Sequence, residues 1–237
     1  MTTVETEVLI VGAGPAGASS AVFLGKHGVS NILLSRRRST AETPRAHITN
    51  QRTMEALRDA GLERDCIAVA SPSSCIEHTF WLRSMIGEEV ARTYAWGNDP
   101  LRRGDYEAAS PCSMCDLPQT QMEPLLVAEA ARLCSQVRFN AELLSFKQDN
   151  NGVVALVQDR MTGQSFEIRA KYMIGADGAR SPVVEQLGIP FKSRLVVLGA
   201  SFDPIANSYN IIRIELLAQR HSFATSVGSD MRTVDLA

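Results

Sequence analysis

The chain has 237 residues, 45% of them hydrophobic and 21% charged, with 24 basic against 26 acidic side chains and a formal net charge of -2. A chain of this length buries a substantial core in one or two domains of roughly 150 residues each, which excludes disorder. The balance of charge, without a long run of either sign, excludes a polyanion such as nucleic acid as the expected partner. No stretch reaches the ~20 apolar residues of a membrane helix. Glu5 and Glu7, standing before the short apolar run 8–11, exclude a signal or transit peptide, so a cytoplasmic location is expected.

In chain order, residues 7–11 read as a short buried strand that runs directly into Gly12-Ala13-Gly14-Pro15-Ala16-Gly17 and a helix over 16–27. Gly28 closes that helix and residues 31–34 form a second apolar strand, which completes one βαβ unit and predicts a parallel sheet. After Arg36, Arg37 and Arg38 comes a polar segment, then a helix over about 50–60, capped by Asn50 and stopped by Gly61. Residues 76–94 shift to shorter β-like runs with Trp81 and Tyr94, and 97–111 reads as loop, so this part is an excursion from the first sheet. Residues 118–135 are helical, 137–146 and 152–159 suggest an antiparallel meander, and 172–176 reads as a buried strand ending in Asp177-Gly178. There is no repeat and no evident linker, so the parts are expected to interleave.

In the spacing Gly12-x-Gly14-x-x-Gly17 the first glycine permits a tight turn, the second lets backbone N–H groups approach a pyrophosphate, and the third lets helix and strand pack closely. Dinucleotide binding follows, with Ala16 on the turn at the start of the helix. The acid that commonly ends the second strand to hold a ribose is replaced by Ser35, followed by arginines. A serine beside arginines also suits the 2'-phosphate of NADP, so this motif leaves FAD and NADP open, and Arg37 and Arg38 also fit a plain solvated turn. Five cysteines, Cys66, Cys75, Cys112, Cys115 and Cys134, are an odd number in a chain that needs no staples, so reduced thiols are expected. The Cys112-x-x-Cys115 pair lacks the second pair or the histidines of a zinc site, and no metal is expected.

Gly175-Ala176-Asp177-Gly178-Ala179-Arg180-Ser181 resembles the Asp-Gly fingerprint of the flavoprotein aromatic hydroxylases, the para-hydroxybenzoate hydroxylase superfamily. Pro44-Arg45-Ala46-His47-Ile48-Thr49-Asn50-Gln51-Arg52-Thr53-Met54-Glu55 and Ser113-Met114-Cys115-Asp116-Leu117-Pro118-Gln119 are similar to its phenol hydroxylase branch, that of 2,4-dichlorophenol 6-monooxygenase. The resemblance covers about residues 5–190. It implies an α/β fold: a Rossmann-like FAD-binding domain with a parallel sheet and a β-meander, interleaved with an incomplete β-rich substrate domain. The expected division is 1–75 and 113–190 for the FAD-binding domain, 76–112 for the substrate-domain excursion, and 191–237 for an incomplete substrate-domain segment or atypical tail.

By the same resemblance Gly12, Gly14 and Gly17 hold the FAD pyrophosphate, Ser35 and Arg36 the adenosine end, Arg45 and Gln119 the ribityl-phosphate region, and Asp177 with Gly178 the far side of the cofactor. FAD is then reduced by NAD(P)H and, with O2, hydroxylates a phenol; a homodimer is an open alternative. A phenol attacks better as phenolate, and His47 aligns where relatives place a polar group against the substrate, so His47 is the expected proton acceptor, against the plainer reading of a histidine bonding loop backbone. Trp81, Tyr94 and Trp96 either line the phenol pocket or pack in the core.

Beyond about residue 191 the likeness fades. The Gly-Asp fingerprint that normally binds the ribityl chain is absent, Gly104-Asp105-Tyr106 does not replace it, and Val184 stands where many relatives carry arginine. The chain is therefore expected to be an N-terminal portion with a poorly covered flavin, releasing peroxide in place of a hydroxylated phenol. The rival readings are a non-catalytic remnant or interaction protein that keeps the fold, and an FAD-dependent reductase or dehydrogenase.

Overall fold

Strand β1 (Thr3–Val11) and helix α1 (Pro15–Lys26) meet at the glycine turn, and β2 (Asn31–Leu34) follows alongside β1 in parallel, with Val8 opposite Asn31 and Val11 opposite Leu34. The computed structural model describes residues 3–43 and 46–189 and, beyond these, the strands at 193–195, 200–203, 208–211 and 216–218. It divides into two units, residues 1–183 and 184–237.

In the first unit the chain continues through β3 (Ile48–Thr49), α2 (Gln51–Ala60), α3 (Glu63–Val69), β4 (Ser71–Pro72), the hairpin β5 (His78–Leu82) and β6 (Glu89–Tyr94), and α4 (Arg103–Ala109). It returns through β7 (Cys115–Asp116), α5 (Gln119–Arg132), β8 (Gln136–Arg138), β9 (Ala141–Asp149), β10 (Gly152–Asp159), β11 (Ser165–Gly175) and the start of α6 (Pro182–Gln186). Six strands form one sheet in the order β8-β2-β1-β11-β10-β9. Its first four strands run parallel, and β10 and β9 add an antiparallel meander.

The side-chain alternation of β1 explains why its run is apolar without a break. Val8 and Ile10 face α1, α2 and α5, packing with Ala18, Val22, Leu33, Met54 and Leu126, whereas Leu9 and Val11 face the other way, with Ile32, Phe146, Ala155 and Ile168. A parallel strand buried on both faces has no polar side to present. The punctuation of α2 is as expected: the Asn50 side chain accepts the Thr53 N–H at 2.9 Å, and Gly61 ends the helix at φ +86°.

Four expectations are corrected. Residues 137–146 do not form one strand, because Asn140 adopts φ +54° and splits them into β8, parallel to β2, and β9, antiparallel to β10. Asparagine tolerates that left-handed conformation better than most residues. The kink is laced to the arginine turn: Asn140 N–H donates to the Arg37 carbonyl at 2.8 Å, Ser35 N–H to that of Arg138 and Ala141 N–H to that of Ser35, each at 2.9 Å. Residues 97–111 contain α4, whose Arg103–Glu107 pair at 2.8 Å spans one helical turn. The strand expected over 172–176 starts at Ser165; its buried residues are Ile168 and Ala170, while Tyr172 is 69% exposed. Trp81, Tyr94 and Trp96 are about half exposed and so are not packed in the core, because only two strands form the β5–β6 hairpin.

In the second unit, β12 (Ser193–Leu195) pairs antiparallel with β15 (Leu216–Ala218), and β13 (Ala200–Asp203) pairs antiparallel with β14 (Ser208–Ile211). The single β-run expected over 195–201 falls partly on residues 196–199, which lie outside the described residues.

Candidate functional site

The carboxyl ends of β1, β2 and β11 open onto a cleft of about 370 Å³. This is where a parallel α/β sheet places its ligands, at the point where successive strands are added on opposite sides of the first. The cleft gathers Gly12, Gly14, Ala16, Ser35, Arg36, Gln119, Asp177 and Gly178 from four separate stretches of chain. Arg45 lies outside the described residues.

The three glycines of the turn have three different causes. Gly12 sits at φ +108°, donates its N–H to the Leu34 carbonyl at 2.8 Å, and has the Asp177 Cα 2.9 Å from where a Cβ would stand. Gly17 does not line the cleft; a Cβ there would run into the Gly12 carbonyl and stand 3.2 Å from the Ala176 Cβ. Both are glycine because the protein packs against itself. Gly14 differs, with an ordinary backbone at φ -72° and only Glu123 Oε1, at 3.9 Å, within reach of an added Cβ. Nothing in the fold asks for glycine there, and the space it leaves belongs to the cleft.

Gly14 also starts α1 without a side-chain cap, and the first turn of α1 carries no acid. The free N–H groups and positive end of the helix therefore remain available to an anion. Across the cleft, Glu42 is tied to Arg38 at 2.9 Å, which holds its carboxyl below the usual range, and Glu142 to Arg160 at 3.4 Å. Among the described residues no ion pair engages Arg36 or Arg37, although Arg37 adds to the field that lowers Glu42, and both stand beside a cleft whose acids are partnered. An uncapped helix terminus, a missing Cβ and the arginines of the turn at 36–37 suit the pyrophosphate of a dinucleotide such as FAD.

Asp177 is bound twice within its own turn: Oδ1 accepts the Ser181 hydroxyl at 2.5 Å and Oδ2 accepts the Val183 N–H at 3.1 Å. Its carboxylate thus shapes the wall at 177–183 as well as facing the cleft. Asp177→Ala is expected to weaken FAD binding and also to lower the unfolding free energy by ~1–2 kcal/mol, since the Val183 N–H loses its acceptor. Isothermal FAD titration and denaturant unfolding of the FAD-free protein read the two effects separately.

His47 does not line the cleft; it immediately precedes β3, where Ile48 stands opposite Asp116 of β7. Its Nδ1 is 3.0 Å from Asp116 Oδ1, a buried oxygen that makes no hydrogen bond among the described residues, and about half of the imidazole is exposed. The His47 carbonyl accepts the Leu117 N–H at 2.7 Å, so backbone bonding and the side-chain contact coexist.

Among the cleft residues that escape the sequence reading is a buried acid. Glu123 is 3% exposed, accepts the Ala41 N–H at 2.6 Å through Oε2, and receives the Gln119 side-chain amide through Oε1. The available signal is its place four residues after Gln119 on α5, one helical turn further on the same face.

The cysteines are all free. Burial pushes the Cys66 thiol up to about 11, and burial followed by nearby carboxylates raises those of Cys112 and Cys115, Glu63 acting on the first and Asp116 on the second. These three are poor nucleophiles. A thiol reagent at neutral pH is expected to modify the two exposed cysteines, Cys75 and Cys134, quickly and all five only in denaturant. Rapid loss of a third thiol in the native protein contradicts this.

Residues 5–224 match the family model described as FAD binding domain. The chain is 54% identical over 196 residues to phenol 2-monooxygenase of Pseudomonas sp. (strain EST1001), covering 81% of this chain and 32% of that protein. It is 49% identical over 199 residues to 2,4-dichlorophenol 6-monooxygenase of Delftia acidovorans, covering 84% and 34%. Among solved structures, the flavin-dependent monooxygenase PieE in complex with FAD and substrate matches with a TM-score of 0.81 at 44% identity, covering 84% of this chain and 35% of that one. The chain thus spans about a third of the length of these relatives. With the family model matching most of its length and the glycine turn, cleft and sheet order all in place, the chain belongs to the FAD binding domain family.

Proposed function

We propose that these residues hold FAD in the cleft at the β1–α1 turn and form the cofactor-bearing part of a monooxygenase that hydroxylates a phenolic ring with NAD(P)H and O2. The observation that carries the reading is the space at Gly14, which the fold leaves open and a pyrophosphate at an uncapped helix terminus fills. The phenolic substrate rests on the relatives, two of which are named for phenols.

In this reading Gly12, Gly14 and Ala16 line the pyrophosphate, with Gly17 keeping α1 close behind the turn. Ser35 and Arg36 border the adenosine end, Arg45 and Gln119 the ribityl-phosphate region, and Asp177 with Gly178 the opposite wall. FAD, when bound, supplies two-electron redox chemistry between NAD(P)H and O2. Residues 1–75 and 113–190 are the FAD-binding part, and 76–112 the first contribution to the substrate side.

His47 serves the substrate. The Asp116 carboxylate oxygen 3.0 Å from Nδ1 favours the tautomer that carries its proton on that nitrogen, which leaves the Nε2 lone pair to the phenol hydroxyl. Removing that proton raises the electron density of the ring at the moment of hydroxylation.

The test has two arms. The purified 237-residue chain is expected to bind FAD at one per chain, seen as a perturbed flavin absorption band; failure to bind under any condition favours an interaction protein. The protein that carries these residues, given FAD, NAD(P)H and O2, is then assayed with a panel of phenols for catechol. NAD(P)H oxidation indifferent to every phenol, with no catechol formed, marks a flavin reductase instead.

A further inference from the structure

Glu123 is the one acidic residue that is fully buried among the described residues, and it lies on the wall of the cleft. Its two oxygens are both engaged, Oε2 by the Ala41 N–H at 2.6 Å and Oε1 by the Gln119 amide nitrogen. The two donors come from separate stretches of chain: Ala41 from the polar segment after the arginine turn, Gln119 from the first turn of α5. Ala41 and Gln119 both line the cleft themselves.

The hydrogen bonds of the three groups define one arrangement. The Ala41 N–H can only donate, and Nε2 is the Gln119 atom that meets Glu123 Oε1. Gln119 must therefore turn its NH2 toward Glu123, which leaves its carbonyl oxygen uncommitted. From this we infer that Glu123 is a positioning residue: it fixes the polarity of the Gln119 amide so that the cleft is offered a hydrogen-bond acceptor, suited to a hydroxyl of the cofactor's ribityl chain rather than to a phosphate oxygen. The same carboxylate ties the segment around Ala41 to α5. The inference rests on the reading of this cleft as an FAD site and adds to it the residue that sets what Gln119 presents.

Exchanging side chains separates this role from a merely structural one. In Glu123→Gln the new carbonyl oxygen must face the Ala41 N–H, so the new NH2 faces Gln119, whose amide has to reverse. The Ala41 bond survives and the polarity offered to the cleft is inverted. In Glu123→Ala both bonds are lost. In the double exchange Gln119→Glu with Glu123→Gln every donor again has an acceptor, and an oxygen acceptor again faces the cleft.

FAD affinity is read by titration of flavin fluorescence on the 237-residue chain, and the Ala41 bond by hydrogen exchange of its amide in the FAD-free protein. Glu123→Gln is expected to weaken FAD about tenfold while Ala41 keeps its protection, the scale of one hydrogen bond to a ligand. Glu123→Ala is expected to lose both, and the double exchange to return FAD affinity to within about threefold of the parent. If the parent binds FAD and Glu123→Gln binds it equally well, or the double exchange is no better than Glu123→Gln alone, the positioning role is overturned while the FAD site stands. If the parent does not bind FAD, the reading of the cleft falls and this inference with it.

Discussion

Gly14→Val is expected to abolish FAD retention while leaving the FAD-free protein as stable as the parent. The reason is the contrast among the glycines: a Cβ added at Gly14 meets no protein atom closer than 3.9 Å, and a side chain there stands where the pyrophosphate must approach the backbone. The loss of affinity is about a hundredfold or more, since the displaced charge-assisted bonds to the helix terminus are worth ~1.5–3 kcal/mol each. Gly17→Val is the matched control. There the new side chain collides with the Gly12 carbonyl inside the fold, and the expected result is failure to fold rather than a folded protein without flavin. Thermal unfolding of both variants without FAD, followed by flavin titration of whichever folds, checks the pair. A Gly14→Val protein that binds FAD like the parent contradicts the placement.

His47→Ala is expected to lower the rate of phenol hydroxylation about a hundredfold, the low end of what a positioned proton acceptor contributes, while FAD affinity changes little because His47 does not line the cleft. A phenol that is already ionised at the assay pH, such as a nitrophenol, needs no acceptor, so the deficit is expected to shrink with that substrate. Asp116→Asn adds a subtler check. Its amide can present NH2 to Nδ1, which favours the tautomer protonated on Nε2 and removes the lone pair the phenol requires. An equal deficit for neutral and ionised phenols contradicts the proton-acceptor role and leaves His47 as part of the β3–β7 scaffold.

Much of the nucleotide-binding half is legible in the chain because its signals are local. Residues 8–11 are apolar without interruption, Gly12 follows at once, and Asn50 and Gly61 mark the two ends of α2 by their own side-chain and backbone chemistry. The features that escaped depend on distant partners. A single left-handed residue, Asn140, separates a parallel edge strand from an antiparallel one, and no periodicity announces a break of one residue. Helix α4 is only seven residues long, too short to show a hydrophobic stripe. The aromatic content of β5 and β6 suggests a packed sheet, but burial requires a covering layer, which a strand's own sequence does not contain. Of the candidate site residues, Gly12, Gly14 and Ala16 of the glycine turn and the Asp-Gly motif converge on the cleft, whereas Gly17 packs behind it and His47 stands beside a different sheet. The burial of Glu123 depends on Ala41, 82 positions away.

The lacing of the arginine turn to the Asn140 kink bears on how quickly a ligand is taken up. The backbone at Ser35 and Arg37 is held by bonds to residues 138, 140 and 141, and the Arg36 carbonyl accepts the Arg160 guanidinium at 2.7 Å, so this end of the cleft is rigid before anything binds. The entropy of ordering that turn is spent in folding, not in association. An adenosine moiety therefore docks onto a finished surface. AMP alone is expected to bind in a single fast phase and compete with FAD, while any slow rearrangement in flavin uptake is confined to the opposite end, where Gln119 and Asp177 meet the rest of the cofactor.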